Sequence, residues 1–237
     1  MDSAATAERI AFFGGSFDPP HRGHLEIARA ARAALDLDRV LFAPVGCQPL
    51  KPQGLSASFQ DRLAMTRLAV GGEAGFEASG VDAPRAPEGG PNYTFDTLRA
   101  LRAELAPGSR LFCLMGADAF FGLSQWHRAA DLPFLAPFIV ASRPGQPLDR
   151  LQSALPPGLC FHPLERGKRG GLELRTFTIS DAGGRHAPFY LLPSLAVEIS
   201  ATEIRTQLAC GQTGAAGIVP NPVAEYIQAH RLYRQAF

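Results

Sequence analysis

The residues with the most chemistry are Gly14-Gly15-Ser16-Phe17-Asp18-Pro19-Pro20-His21-Arg22-Gly23-His24, which compress a glycine turn, a proline stop and two histidines into one short stretch. Glycine permits backbone conformations and close approaches that a Cβ would block, and the two prolines stiffen the chain ahead of a helix. His21 and His24 are three residues apart, so on a helical first turn their imidazoles share a face and can donate N–H groups to one anion. Such a stretch reads as a site for a nucleotide phosphate. A metal pair is the alternative, but a transition metal wants a third and fourth ligand and only Asp18 is near in sequence.

This stretch needs a strand before it and a helix after it. Arg9 to Phe13 is an apolar run of strand length, and Leu25 to Leu35 is strong helix-forming sequence with apolar residues at helical spacing. A strand-to-helix junction lies at the carboxyl edge of an open sheet, where the helix would offer unpaired N–H groups to an anion. Further strands are predicted at Val40–Pro44, Phe76–Ser79, Leu111–Gly116 and Phe138–Ser142, with helices at Phe59–Val70 and Phe95–Leu105 between them. The alternation predicts an α/β fold: a doubly wound, Rossmann-like parallel sheet with helices on both faces. Residues 144–188, rich in Gly, Pro and Arg, are expected to form an irregular connection with one strand near Glu173–Ile179. Residues 200–237 are expected to be helical, with a helix over Val223–Arg234.

A second motif, Ile199-Ser200-Ala201-Thr202-Glu203-Ile204-Arg205, has the form of a helix start. Ser200 as N-cap with Glu203 three residues on predicts a capping box, and Thr202 and Arg205 would face the same way. Taken together, the two motifs resemble those of the His-x-Gly-His nucleotidyltransferases, and most closely the bacterial nicotinate-mononucleotide adenylyltransferases. The resemblance covers nearly the whole chain and implies one nucleotidyltransferase domain over residues 1–237.

Other segments fit that resemblance. Asn92-Tyr93-Thr94-Phe95-Asp96 looks like the family's pyridine-nucleotide segment, and Thr94 is a candidate N-cap whose helix end would favour a carboxylate over an amide. Asp118, just past a predicted strand, can accept two hydroxyl hydrogen bonds and matches a ribose contact. Trp126, the only tryptophan, falls where the family stacks an indole on pyridine. Lys51 is one of two lysines in a chain that otherwise uses arginine, and it resembles a mobile-loop cation of the family, although Leu50 stands where the family usually has histidine. Arg143, before Pro144 and Gly145, matches a segment near adenine.

The implied activity is transfer of the adenylyl group of ATP to nicotinate mononucleotide, giving nicotinate adenine dinucleotide and pyrophosphate in NAD biosynthesis. His21, His24, Lys51 and Arg205 would be catalytic. ATP would lie on Gly14, Gly15, Ser16, Phe17, His21, His24, Arg143, Ser200, Thr202 and Arg205. The pyridine nucleotide would lie on Asn92, Tyr93, Thr94, Asp118 and Trp126. Mg²⁺ would come with the ATP phosphates, with no protein metal site. Nicotinamide-mononucleotide or pantetheine-phosphate adenylyl transfer, or a nucleotide sensor without turnover, would use the same motifs.

Composition is compatible with this reading. A chain of 237 residues with 46% hydrophobic residues can bury a full core, and a formal net charge of +1 gives no basic field for a nucleic acid. No apolar run reaches membrane-span length, and the first eight residues lack the pattern of a signal peptide, so a cytoplasmic protein without a membrane partner is expected. Cys47, Cys113, Cys160 and Cys210 are widely spaced, as expected of reduced thiols packed as small hydrophobes.

Overall fold

The protein is described here from a computed structural model, which covers residues 6–50, 54–85, 90–142, 149–193, 195, 200–210 and 217–234. The elements run β1 (Arg9–Gly15), α1 (Arg22–Leu35), β2 (Arg39–Pro44), α2 (Phe59–Val70), β3 (Phe76–Ala78), α3 (Thr94–Glu104), β4 (Arg110–Gly116), α4 (Ala117–Phe121), α5 (Leu132–Leu135), β5 (Phe138–Ala141), α6 (Asp149–Ala154), β6 (Leu159–Arg169), β7 (Leu172–Asp181), β8 (His186–Leu192), α7 (Ala201–Ala209) and α8 (Asn221–Ala229). One eight-stranded sheet has the order β3-β2-β1-β4-β5-β8-β7-β6. β1 with β4, β4 with β5 and β5 with β8 are parallel, as expected of strands separated by helical crossovers. The α/β fold predicted from the alternating pattern is therefore present.

The chain divides into two compact units. The first holds residues 1–13, 27–40 and 93–196. Its parallel strands are buried on both sides: Ile10, Ala11, Phe12 and Phe13 of β1, Leu111 to Met115 of β4 and Phe138 to Ala141 of β5 are all core residues. Such unbroken apolar runs mark central parallel strands. The second unit holds residues 14–26, 41–92 and 197–237. Its core joins Met65 and Ala69 of α2 to Ile204 of α7 and Val223 and Ile227 of α8.

Residues 144–188 differ from the irregular connection expected. They contain α6, β6, β7 and the start of β8, with β6–β7 and β7–β8 antiparallel. β7 carries the one strand expected, near Glu173–Ile179, while the Gly- and Pro-rich composition hid β6 for a physical reason. β6 is largely exposed, its ladder is irregular between Pro163 and Glu165, and the turn at Gly170–Gly171 needs positive φ at both glycines. An edge strand can carry a proline and charged residues because one side makes no ladder bonds. The helix expected over Val223–Arg234 starts at Asn221 and ends at Ala229, where Arg231 and Tyr233 take positive φ. All four cysteines are free thiols, but only Cys113 packs as a buried hydrophobe; Cys47, Cys160 and Cys210 are exposed. Burial pushes the Cys113 thiol up to about 12. Among the described residues, no helix is long and apolar enough to cross a membrane.

The antiparallel strands are tied to the parallel ones by a phenylalanine cluster. Phe189 of β8 is fully buried, and its ring centroid lies 5.4 Å from Phe120, 4.7 Å from Phe161 and 5.9 Å from Phe177. Truncation would leave a cavity at the junction of α4, β6, β7 and β8. Phe189→Ala is expected to cost about 3–5 kcal/mol in urea unfolding, whereas a loss under about 1 kcal/mol would mean that the cluster is dispensable.

Candidate active site

The loop of the first motif leaves β1 at Gly15 and enters α1 at Arg22, wholly within the second unit. Neither Gly14 nor Gly15 takes a left-handed backbone; a Cβ on Gly15 would lie 3.3 Å from the Phe17 ring, so the glycine is there for close approach. The left-handed residue is Phe17 itself, at φ 46°. A bulky residue keeps such a conformation only where its surroundings hold it. Here the ring is 1% exposed, 4.8 Å from the His24 ring and 5.7 Å from Phe42. The peptide after Asp18 is cis.

Backbone carbonyls of the loop are then held one by one. Val45 N–H donates to Gly15 O at 2.9 Å, and the Arg62 Nη1 donates to Ser16 O at 2.8 Å. Ser16 Oγ bonds Gln48 Oε1 at 2.9 Å, and Arg205 Nη1 donates to Asp18 O at 2.7 Å. Arg62 is a cation only 1% exposed. Burial lowers its pKa, with Asp18 and then Tyr233 acting in the opposite sense. Nothing in the spacing of α2 singles it out, because the chain partners that satisfy it come from the distant loop.

His21 and His24 do share a face. Their rings stack with centroids 3.7 Å apart, and the His21 backbone N–H donates to His24 Nδ1 at 3.2 Å. A nitrogen that accepts carries no proton, so the neutral His24 bears its hydrogen on Nε2. Burial, and secondarily the charge of His21, hold the His24 pKa well below 6.5. Two stacked imidazolium ions at this distance would repel strongly. The α1 terminus differs from the expectation of unpaired N–H groups: Arg22 N–H donates to Ile218 O at 2.9 Å and His24 N–H to His21 O at 2.9 Å. Both are committed because the chain at Ile218 and the first turn itself cover that end.

The second motif places Thr202 and Arg205 together, with Arg205 Nη2 donating to Thr202 Oγ1 at 3.1 Å. Ser200 does precede α7, but its side chain makes no cap bond and the capping box is not formed. Glu203 is exposed and solvated, and the helix is anchored instead by Ile204, 1% exposed in the core. Thr94 is also not a cap. It is the first residue of α3, with Tyr93 in the cap position and no side-chain cap bond, while the Asp96 and Thr97 N–H groups return to Tyr93 O. Lys51 and Arg143 lie outside the described residues.

Asn92 closes the second unit, where Cys47 N–H donates to its Oδ1 at 2.8 Å and its Nδ2 donates to Ala83 O at 2.9 Å. A side chain so engaged positions backbone, so Asn92 has a structural task. The first unit carries Tyr93, Thr94, Asp118 and Trp126. Asp118 is exposed in the first turn of α4, and Trp126 is half-buried in a turn that follows it. That turn is pinned: Arg128 lies 4.0 Å from the Phe95 ring centre and bonds Asp131 at 2.8 Å, and Arg185 bonds Asp131 at 3.0 Å. Hydrogen bonds from Arg128 and Arg185 hold the Asp131 carboxyl below its usual range. His127, which has no signal in the sequence, stands 4.5 Å from the Tyr93 ring.

The lowered pKa of His24 has a signed consequence. As pH falls below 6.5 the unfolded chain takes up a proton at this position that the folded protein refuses, so stability contributed by neutral His24 is complete above pH 6.5 and is lost toward its folded pKa. Melting temperature should therefore drop more steeply between pH 6.5 and 5 in the wild type than in His24→Gln; parallel profiles would contradict a neutral His24.

Similarity to known proteins agrees with the site. The Cytidylyltransferase-like family matches residues 12–207, which spans both motifs. The chain is 38% identical to a probable nicotinate-nucleotide adenylyltransferase of Gloeobacter violaceus, covering 95% of this chain and 96% of that one. It is 41% identical to one of Laribacter hongkongensis, covering 95% and 94%. Among solved structures, the Plasmodium falciparum nicotinic acid mononucleotide adenylyltransferase complexed with NaAD has a similar fold, with TM-score 0.67 at 18% identity over 95% of this chain and 97% of that one. With a family model over residues 12–207 and near full-length relatives in agreement, the chain belongs to the nicotinate-nucleotide adenylyltransferase family of nucleotidyltransferases.

Proposed function

We propose that the protein transfers the adenylyl group of ATP to nicotinate mononucleotide, in NAD biosynthesis. The observation that carries this reading is the pairing of the two motifs: His24, its Nδ1 accepting from the His21 N–H, sits on the same loop that the Arg205 guanidinium grips through Asp18 O. A phosphate oxygen of the mononucleotide attacks the α-phosphorus of ATP in line, the bond from that phosphorus to the bridging oxygen breaks, and pyrophosphate leaves with the electron pair. No side chain becomes covalently attached. Catalysis is positioning and electrostatic stabilisation.

His21 and His24 would donate to phosphate oxygens as charge builds. Arg205 has five N–H donors, of which Asp18 O and Thr202 Oγ1 take two, so its fork can also meet the triphosphate. Lys51 and Arg143 would add charge from their own segments. Mg²⁺ would enter as part of the substrate, bound to the ATP phosphates. Among the described residues there is no group of three or more His, Cys, Asp or Glu side chains suited to a metal ion. The turn that carries Trp126 and the α3 start that carries Tyr93 and Thr94 support a pyridine nucleotide, with leading helix N–H groups favouring the acid over the amide. Asp118 would meet ribose hydroxyls. Small soluble substrates and a cytoplasmic setting follow from this reading.

The deciding experiment offers ATP with nicotinate mononucleotide, nicotinamide mononucleotide or phosphopantetheine and identifies the product by mass. Nicotinate adenine dinucleotide should form, with kcat/KM at least about tenfold, or about 1.4 kcal/mol, above the amide; a dephospho-coenzyme A product, or none, would overturn the proposal. His24→Ala should lower kcat by about 10²–10³-fold, the usual worth of a donor aimed at a developing oxyanion, with KM changed far less. Arg205→Lys should keep part of the activity and Arg205→Ala lose most of it, because lysine supplies charge without the planar fork. Full activity in folded Arg205→Ala would make this arginine merely a clamp on Asp18.

A further inference from the structure

Asp18 lies inside the phosphate loop, three residues before His21, yet its carboxylate is only 2% exposed. Oδ1 accepts from the Tyr233 hydroxyl at 2.7 Å and from Ala57 N–H at 3.1 Å, and Oδ2 accepts from Ser56 N–H at 2.7 Å. Its own carbonyl receives Arg205. One residue thus collects the loop, the segment that follows Lys51, the helix of the second motif and the C-terminal turn. Its buried charge faces two cations, Arg62 and Arg205, which bond backbone carbonyls of the same loop.

We infer that Asp18, clasped by Tyr233, is a positioning residue that sets His21 and His24 against Arg205 without itself touching substrate. Three donors already occupy the carboxylate, so it is neither a free base nor an open metal ligand. A buried acceptor of charge-assisted bonds is rigid, because losing one partner leaves an uncompensated charge in a low-dielectric site. Tyr233 reaches it from 215 residues away. The turn that delivers the ring leaves α8 through a Leu232 N–H bond to Ile227 O at 3.0 Å and is packed on the α2–α7–α8 core. Burial first, and the Asp18 charge second, push the Tyr233 ionisation far above its ordinary value, so the hydroxyl remains a donor throughout the working pH range. Tyr233 also stands at φ 62°, a conformation that tyrosine keeps only where its contacts require it. The C-terminal turn is thereby a part of the active-site scaffold.

The inference rests on the adenylyl-transfer reading for its kinetic test and on the His24 geometry for its spectroscopic one. Tyr233→Phe removes one hydroxyl and keeps the ring. In the folded variant kcat should fall about 5–20-fold while KM for ATP and for nicotinate mononucleotide stays within about twofold, and adding Tyr233→Phe to Asp18→Asn should cause little further loss, as expected of residues acting as a unit. Val223→Ala, which loosens the same core without touching the clasp, should lower the melting temperature and leave kcat of the folded fraction unchanged. A wild-type kcat in Tyr233→Phe, additive losses in the double variant, or an equal kcat loss in Val223→Ala would each overturn the inference. Histidine-selective ¹⁵N NMR gives an answer that does not depend on turnover. Tyr233→Phe should shift the His24 ring signals, and unchanged signals refute the clasp. An inactive wild type with shifted His24 signals would overturn the proposed reaction and leave the clasp standing.

Discussion

The second unit depends on two buried charges of opposite sign. Arg62 and Asp18 are 1% and 2% exposed, and a charge taken out of water is tolerated only where fixed donors and acceptors replace the solvent. The structure supplies them from backbone. Arg62 gives its N–H groups to Ala57 O and Ser16 O, and Asp18 takes N–H groups from Ser56 and Ala57. Each bond fixes a piece of main chain that has no regular secondary structure. This is why a loop with a left-handed phenylalanine can hold one shape: the cost of strain at Phe17 is offset by charges that have nowhere else to go.

That rigidity matters because the chemistry of this family asks little of the protein except placement. A phosphoryl centre changes its charge distribution during transfer, and donors that are already oriented stabilise the change without reorganising. His24 is held in one orientation and one protonation state. One backbone bond to Nδ1 selects its tautomer, and burial, with the stacked His21 ring second, keeps it neutral. Its ring is held edge-on by Phe17, so the strained residue and His24 are a single packing unit.

The first unit solves a different problem. Its parallel strands are buried on both sides and need no help, but the antiparallel strands β6 and β7 extend the sheet toward solvent. Phenylalanines at 120, 161, 177 and 189 supply the apolar contact that an exposed sheet edge would otherwise lack. In the same unit, the turn containing Trp126 is fixed from outside by Arg128, Asp131 and Arg185. Exposed ion pairs add little stability singly, but two guanidinium groups sharing the Asp131 carboxylate set a geometry.

Local sequence determined the strand-to-helix junction, the order of the parallel strands' runs and the helix over Phe59–Val70, because apolar periodicity and chain length act within a few residues. It also determined that His21 and His24 share a face and that Thr202 and Arg205 do, since helical spacing is a local property. Caps were less legible: Ser200 and Thr94 have capping chemistry, but whether a side chain closes on its helix depends on what the rest of the fold offers both partners. Within residues 144–188 the strand near Glu173–Ile179 was legible and became β7, whereas β6 was obscured because an edge strand tolerates the Gly, Pro and Arg that normally signal loops. Only tertiary structure could decide the roles of Arg62, Tyr233 and Asp18. Their partners lie 46 and 215 residues apart along the chain, and a buried charge is recognisable only when the atoms that replace its water are in place.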